Sequence, residues 1–118
     1  LIAPVPLHRA RHFSRSFNQA EVLARRLGRN LGIPVNNSLL RRARTTRAQS
    51  GLDRKSRQRN IRGAFVFNPP RRSGAIVKHI ALVDDVMTTG ETLADCCRVL
   101  KRAGIGNISA WVAARAAV

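Results

Sequence analysis

Two adjacent carboxylates, Asp84 and Asp85, close a short apolar run and are followed at once by Val86-Met87-Thr88-Thr89-Gly90-Glu91-Thr92. Acids next to hydroxyls and a glycine offer two kinds of recognition. Paired carboxylates accept hydrogen bonds from the vicinal hydroxyls of a sugar. A loop entering a helix collects unpaired backbone N–H groups and the positive end of the helix dipole, and threonine hydroxyls beside them complete an anion cradle. A phosphorylated sugar presents both partners, and the spacing fits a ribose 5-phosphate. Asp-Asp alone would read as an acidic turn at an ordinary strand-to-helix junction; the whole string points to a site.

Such a site requires a strand, a loop and a helix in that order. Ile80 to Val83 form a continuous apolar run, as in a parallel strand covered on both faces, which puts the acids at its carboxyl end. Open α/β sheets bind their ligands there. Thr88 to Thr92 then open a helix with apolar positions at Leu93, Cys96 or Cys97, Leu100 and Ala103, ending by Gly104.

Upstream, Leu1 to Val5 read as a buried strand stopped by Pro4-Val5-Pro6, and His8 to Arg15 as a basic loop. Ser16 and Gln19 have capping-box spacing before a helix with Phe17, Ala20, Leu23, Ala24, Leu27 and Leu31 on one face and Arg25, Arg26 and Arg29 in solvent. Gly32 and Pro34 stop it. Val35 to Leu40, Ala64 to Phe67 and Ile108 to Ala113 are further strands, with a turn over Asn68 to Gly74. The expected class is α/β, a mostly parallel twisted sheet flanked by helices.

At 118 residues the chain fits one domain. Hydrophobic residues at 44% argue against disorder. No apolar run approaches the roughly 20 residues of a membrane span and no signal peptide is visible, so the expectation is a cytoplasmic protein without a membrane partner. Cys96 and Cys97 are helix neighbours whose side chains diverge, which favours ordinary packing over redox or metal chemistry. His8 and His12 have the i, i+4 spacing of a metal pair, but Pro6 and the absence of helix signals before Ser14 speak against it. Neither a P-loop nor a dinucleotide glycine motif is present.

The 22 basic against 6 acidic residues give a formal charge of +16, which favours polyanionic partners: a pyrophosphate substrate or nucleic acid. Residues 41–62 carry nine of the basic side chains against Asp53 alone, half of the net charge. Like charges this dense repel unless an anion joins them. The segment suits a lid that orders over a polyphosphate and excludes water, or a DNA-binding arm. It has no aromatic residue for base stacking.

Val83 to Thr92 resemble the phosphoribosyl pyrophosphate (PRPP) motif of type I phosphoribosyltransferases: apolar residues, two acids, two variable residues, then Thr-Thr-Gly-x-Thr. Pro4-Val5-Pro6-Leu7, Ser16-Phe17-Asn18-Gln19-Ala20-Glu21, Gln49-Ser50-Gly51-Leu52 and Arg59 to Phe65 resemble successive motifs of the ComF/GntX family, across nearly the whole chain. Arg44-Thr45 and Gln49 are similar to the flexible loop of amidophosphoribosyltransferases. The resemblance implies a type I phosphoribosyltransferase-like (Rossmann-like) fold and a link with bacterial competence and DNA utilisation. It also implies a longer parent chain with an N-terminal cysteine-rich, zinc-binding segment not included in residues 1–118; the opening at Leu1 agrees.

By the same resemblance, Asp84 and Asp85 contact ribose hydroxyls, while Thr88, Thr89, Gly90 and Thr92 hold the 5-phosphate and Val86, Met87 and Glu91 complete the binding motif. Pro6 and Leu7 fall in the pyrophosphate loop, and Arg44 and Arg47 close over the leaving group as catalytic residues. Mg²⁺ bridges pyrophosphate and ribose oxygens. The implied reaction transfers phosphoribose from PRPP to an unknown acceptor with release of pyrophosphate. One departure stands out: some purine phosphoribosyltransferases carry an acid, assigned as a base, where Thr88 stands here. No hood that would choose an acceptor is identifiable. The alternative is a non-catalytic DNA-binding or scaffold protein that uses residues 41–62.

Overall fold

A computed structural model describes residues 1–7, 17–42, 64–71 and 77–116. Its centre is strand β4, His79–Met87, whose buried stretch Ile80 to Val83 has a neighbour on each side. β1 (Ile2–Pro4) pairs with it in parallel from Ile2 opposite Ala81 to Pro4 opposite Val83, and β5 (Asn107–Arg115) pairs in parallel from Asn107 opposite His79 to Arg115 opposite Met87. The sheet order is β1-β4-β5. Val35 extends it beyond β1 as a single parallel bridge to Ile2.

Parallel neighbours need crossovers, and two helices supply them. Helix α1 (Gln19–Leu31) packs on one face of the sheet, where Ala24 meets Ile2, Ala81 and Val83. Its buried stripe is Ala20, Ala24 and Gly28, small residues at four-residue spacing that let the helix lie close to the strands. A Cβ on Gly28 would come within 2.3 Å of Val35 Cγ2 and 2.8 Å of the Ile33 carbonyl oxygen. Leu23 and Leu27 flank this stripe as expected, but Phe17 and Leu31 are 51% and 56% exposed, because Phe17 precedes the helix and Leu31 is its last residue. Ser16 lies outside the described residues. The cap is Asn18, whose side chain accepts from the Ala20 N–H and whose Nδ2 donates to the Val5 carbonyl, tying the helix start to the end of β1. At the other end Gly32, at φ 67°, lets both its own N–H and that of Ile33 reach the Gly28 carbonyl. Arg25, Arg26 and Arg29 are exposed, with Arg25 paired to Glu21 at 2.8 Å.

Helix α2 (Glu91–Arg102) covers the opposite face. Leu93, Cys96 and Leu100 pack there against Ile80 and Leu82, and Cys97 is only partly buried. Ala103 caps the helix and is exposed, outside the apolar face expected of it. After Gly104 the chain turns so that the Ile105 N–H bonds to the Leu100 carbonyl and its side chain joins the same core.

The second strand expected over Val35 to Leu40 is displaced. Only Val35 joins the parallel sheet, and β2 is Leu40–Arg42, antiparallel to β3 (Phe65–Phe67). Asn36 and Asn68 explain the shift. The Asn36 side chain accepts from the Ser38 N–H to form a turn, and Asn68 donates to the Ser38 carbonyl, which fixes where the ribbon begins. Leu39, Leu40, Ala64 and Phe65 bring this ribbon into the core on the α2 face. The architecture is thus α/β: a parallel three-stranded sheet between two helices, with a separate two-stranded ribbon. Among the described residues no helix is long and apolar enough to cross a membrane.

Candidate functional site

β4 is covered along its first half and opens in its second. Alternation along the strand sends Ile80 and Leu82 to the α2 face and Ala81 and Val83 to the α1 face. β1 stops at Pro4, opposite Val83; one further bond, from the Val5 N–H to the Val83 carbonyl at 2.9 Å, closes that pairing. Beyond it the Val5 carbonyl accepts from Asn18 Nδ2 and the Asp85 N–H donates to Asp84 Oδ1, so the ladder ends there. Asp84 and Asp85 therefore emerge where the sheet loses a neighbour on the β1 side while β5 still supports the other. The strand expected from the apolar run Ile80 to Val83, with the acids at its carboxyl end, is longer than that run. β4 runs through both to Met87, because β5 pairs with it as far as Arg115 and the Ala116 N–H donates to the Met87 carbonyl.

Both acids are partly exposed, so neither is committed to the core. Asp84 Oδ1 accepts from the Asp85 N–H at 2.9 Å. Its carboxyl is pushed up to about 6 from 3.8, first by burial, then by sharing a hydrogen bond with the Asp85 carboxyl and by that group's negative charge; the Asp85 N–H and the positive charge of Arg42 pull the other way. Cys96, beneath on α2, feels the same group of charges: burial and the neighbouring Asp95 raise its thiol, Arg42 lowers it, and Asp84 raises it further. Its thiol is inert packing at physiological pH.

Past Met87 the chain bends through Thr88, Thr89 and Gly90 into α2. Thr88 and Thr89 are exposed, and Gly90, Glu91 and Thr92 half-buried, so the turn opens to solvent. Gly90 occupies the N-cap at φ 83°, a left-handed conformation that glycine adopts without steric cost and that leaves the cap without a side-chain oxygen. The Thr89 hydroxyl accepts from the Glu91 N–H at a long 3.4 Å. Positive dipole, weakly engaged amides and exposed hydroxyls thus meet at one point, a few residues beyond the acid pair.

Residues of the β1 exit come to the same end of the sheet. Pro6 and Leu7 follow the Val5–Val83 bond directly, and the Pro6 carbonyl accepts from Arg42 Nε at 3.4 Å. Asp84, Asp85, Val86, Met87, Thr88 to Thr92, Pro6 and Leu7 are therefore gathered at one end of β4. Arg44 and Arg47, His8 and His12, and most of the basic segment lie outside the described residues.

The chain is 39% identical to competence protein F of Haemophilus influenzae over 115 residues, which are 98% of this chain and 50% of that protein. It is also 35% identical to DNA utilization protein YhgH of Escherichia coli (strain K12) over 114 residues, 97% of this chain and 48% of that protein, and equally so to the protein of the same name in Salmonella typhimurium. These likenesses, over nearly the whole chain, agree with the resemblance to the ComF/GntX family carried by its motifs. It spans about half the length of the curated relatives it matches. No family model and no solved structure matches it.

Two residues beside this site, Arg42 and Asp95, are not among those expected from the sequence. In the sequence Arg42 is one of a basic run beyond the strand expected to end at Leu40; in the structure it shares the inward side of β2 with buried Leu40, two residues away. Asp95 is 4% exposed on α2, within 3.8 Å of Arg98 Nη1.

Proposed function

We propose that this chain is the sugar-phosphate-binding domain of a protein that serves competence and DNA utilisation, with PRPP or a nucleotide 5-phosphate as its ligand. The observation that carries this reading is the acid pair at the open edge of β4, followed within one turn by an uncapped helix start. In this reading the domain has the type I phosphoribosyltransferase-like fold. Asp84 and Asp85 accept the ribose hydroxyls. The first amides of α2 and the hydroxyls of Thr88, Thr89 and Thr92 hold the 5-phosphate, with Gly90 permitting close approach, while Val86, Met87 and Glu91 line the turn. Pro6 and Leu7 face the pyrophosphate.

Among the described residues no group of three or more His, Cys, Asp or Glu side chains is placed to hold a metal ion. Mg²⁺ would arrive with the pyrophosphate-bearing substrate and neutralise its charge. Transfer would consist of an acceptor nucleophile forming a bond to the anomeric carbon as the bond to pyrophosphate oxygen breaks, with Arg44 and Arg47 meeting the departing charge. The site supplies binding and orientation for that step. With threonine rather than an acid at position 88, the acceptor must arrive as a competent nucleophile.

The names of the relatives and the formal charge of +16 favour a second reading, in which the domain binds ligand without turnover and contacts DNA through its basic segment. A screen of acceptors for pyrophosphate release from Mg²⁺–PRPP, run on the full-length protein, separates the two. Release that disappears in an Asp84→Asn, Asp85→Asn double variant supports the transferase. Salt-sensitive DNA binding with PRPP binding and no release supports the non-catalytic role. Undiminished PRPP affinity in the double variant contradicts the site itself.

A further inference from the structure

Arg42 is tied down from three directions. Its Nε donates to the Pro6 carbonyl at 3.4 Å, its guanidinium lies 4.6 Å from the centroid of the Phe65 ring, and Phe65 is its direct cross-strand partner between β2 and β3. A planar guanidinium stacked on an aromatic face and bonded at one edge loses little further freedom in holding a charge in place. Phe65 is itself in the core, so the platform is rigid.

We propose that Arg42 is a positioning residue of the acid pair: from β2 it holds the exit of β1 through the Pro6 carbonyl and fixes a positive charge within electrostatic reach of Asp84. Asp84 continues the face of β4 that carries Ile80 and Leu82, which the ribbon also covers; among the described residues the charges acting on it are Asp85 on its own strand and Arg42 on β2, and Cys96 on α2 feels Asp84 in turn. Burial and Asp85 both favour the neutral carboxyl; the Arg42 charge favours the carboxylate. An ionised carboxyl is a pure acceptor for sugar hydroxyls, whereas a protonated one gives up part of that capacity. Arg42 thus joins the two halves of the site, the turn after β1 and the acids of β4. The ligand consequence rests on the sugar-phosphate reading above; the effect on Asp84 does not.

The test is a ¹³C-carboxyl NMR titration of Asp84 in the ligand-free full-length protein, wild type against Arg42→Gln and Arg42→Lys, with ribose 5-phosphate and inorganic phosphate binding measured alongside. The Asp84 midpoint moves upward in Arg42→Gln and stays near wild type in Arg42→Lys, which keeps the charge but not the fork or the stack. The preference for ribose 5-phosphate over inorganic phosphate, a ratio in which titration of the phosphate largely cancels, falls about two- to threefold in Arg42→Gln at about pH 6 and less at pH 8. An unchanged Asp84 midpoint in a folded Arg42→Gln variant overturns the proposal. Should that variant fail to fold, Arg42→Lys decides: a midpoint raised despite the retained charge overturns it, and an unshifted one with displaced Leu7 amide resonances supports it. A wild type with no preference for the sugar phosphate sinks the functional reading while the titration still judges Arg42.

Discussion

Replacing Asp84 by asparagine should make the protein more stable at neutral pH and worse at binding. Asp84 titrates at about 6 in the folded chain against 3.8 ordinarily, so between those values the native state holds more protons than the unfolded one. The sign follows: stability falls as pH rises through this window, is highest below about 4, and settles at its lower level above about 6. A displacement of that size corresponds to about 3 kcal/mol for a group wholly shielded from water. Asp84 keeps part of its surface in solvent, and screening reduces this to about 1–2 kcal/mol. Asparagine is nearly isosteric and keeps an acceptor for the Asp85 N–H that Asp84 Oδ1 now receives. At pH 7.5 the variant should therefore gain about 1–2 kcal/mol, or about 3–8 °C in Tm for a chain of this length, with little gain at pH 4. Urea denaturation of both proteins at the two pH values reads the difference directly, and subtracting one curve from the other removes the titrating groups that do not interact with Asp84. An Asp84→Asn variant that is less stable at pH 7.5, or whose pH dependence matches wild type, would refute the assignment of Asp84 as a carboxylate held against its preference.

Three further changes test the frame that presents the acids. Gly28→Ala drives a methyl into Val35 and the Ile33 carbonyl, lifting α1 from the sheet; urea denaturation should show a loss of about 1–3 kcal/mol. Asn18→Ala removes the α1 cap and the tie to the Val5 carbonyl, costing about 1 kcal/mol and raising amide hydrogen exchange in the first turn of α1. Gly90→Ala forces a side chain into φ 83°, where it should cost about 1 kcal/mol by thermal melting and weaken phosphate binding more than it alters the rest of the fold, since only Met87 Sδ stands near the added Cβ, at 3.6 Å.

The parts of this fold that rest on local periodicity were legible in the sequence. The run Ile80 to Val83, the helix spacing from Leu93 to Leu100 and the stops at Gly32 and Gly104 all announce themselves through nearest neighbours. What escaped was decided at a distance. β4 continues through the acids only because β5 supplies partners as far as Arg115, and no pattern within residues 84–87 reveals that. Likewise Val35 joins the parallel sheet while Leu40 starts a separate ribbon, since Asn36 and Asn68 turn the chain between them. The acids and the threonine turn stand out as candidate ligand groups because they are contiguous. Arg42 does not, because its neighbours Pro6 and Phe65 lie 36 residues before and 23 after it in the chain, and strand pairing alone brings them together.

The most direct test of the central claim is to map ribose 5-phosphate onto the protein by backbone amide NMR. Saturable shifts should concentrate at residues 84–92, be largest at the amides that begin α2, and disappear in the Asp84→Asn, Asp85→Asn double variant. Saturable binding that leaves residues 84–92 unmoved, or that persists unchanged in the double variant, would contradict it.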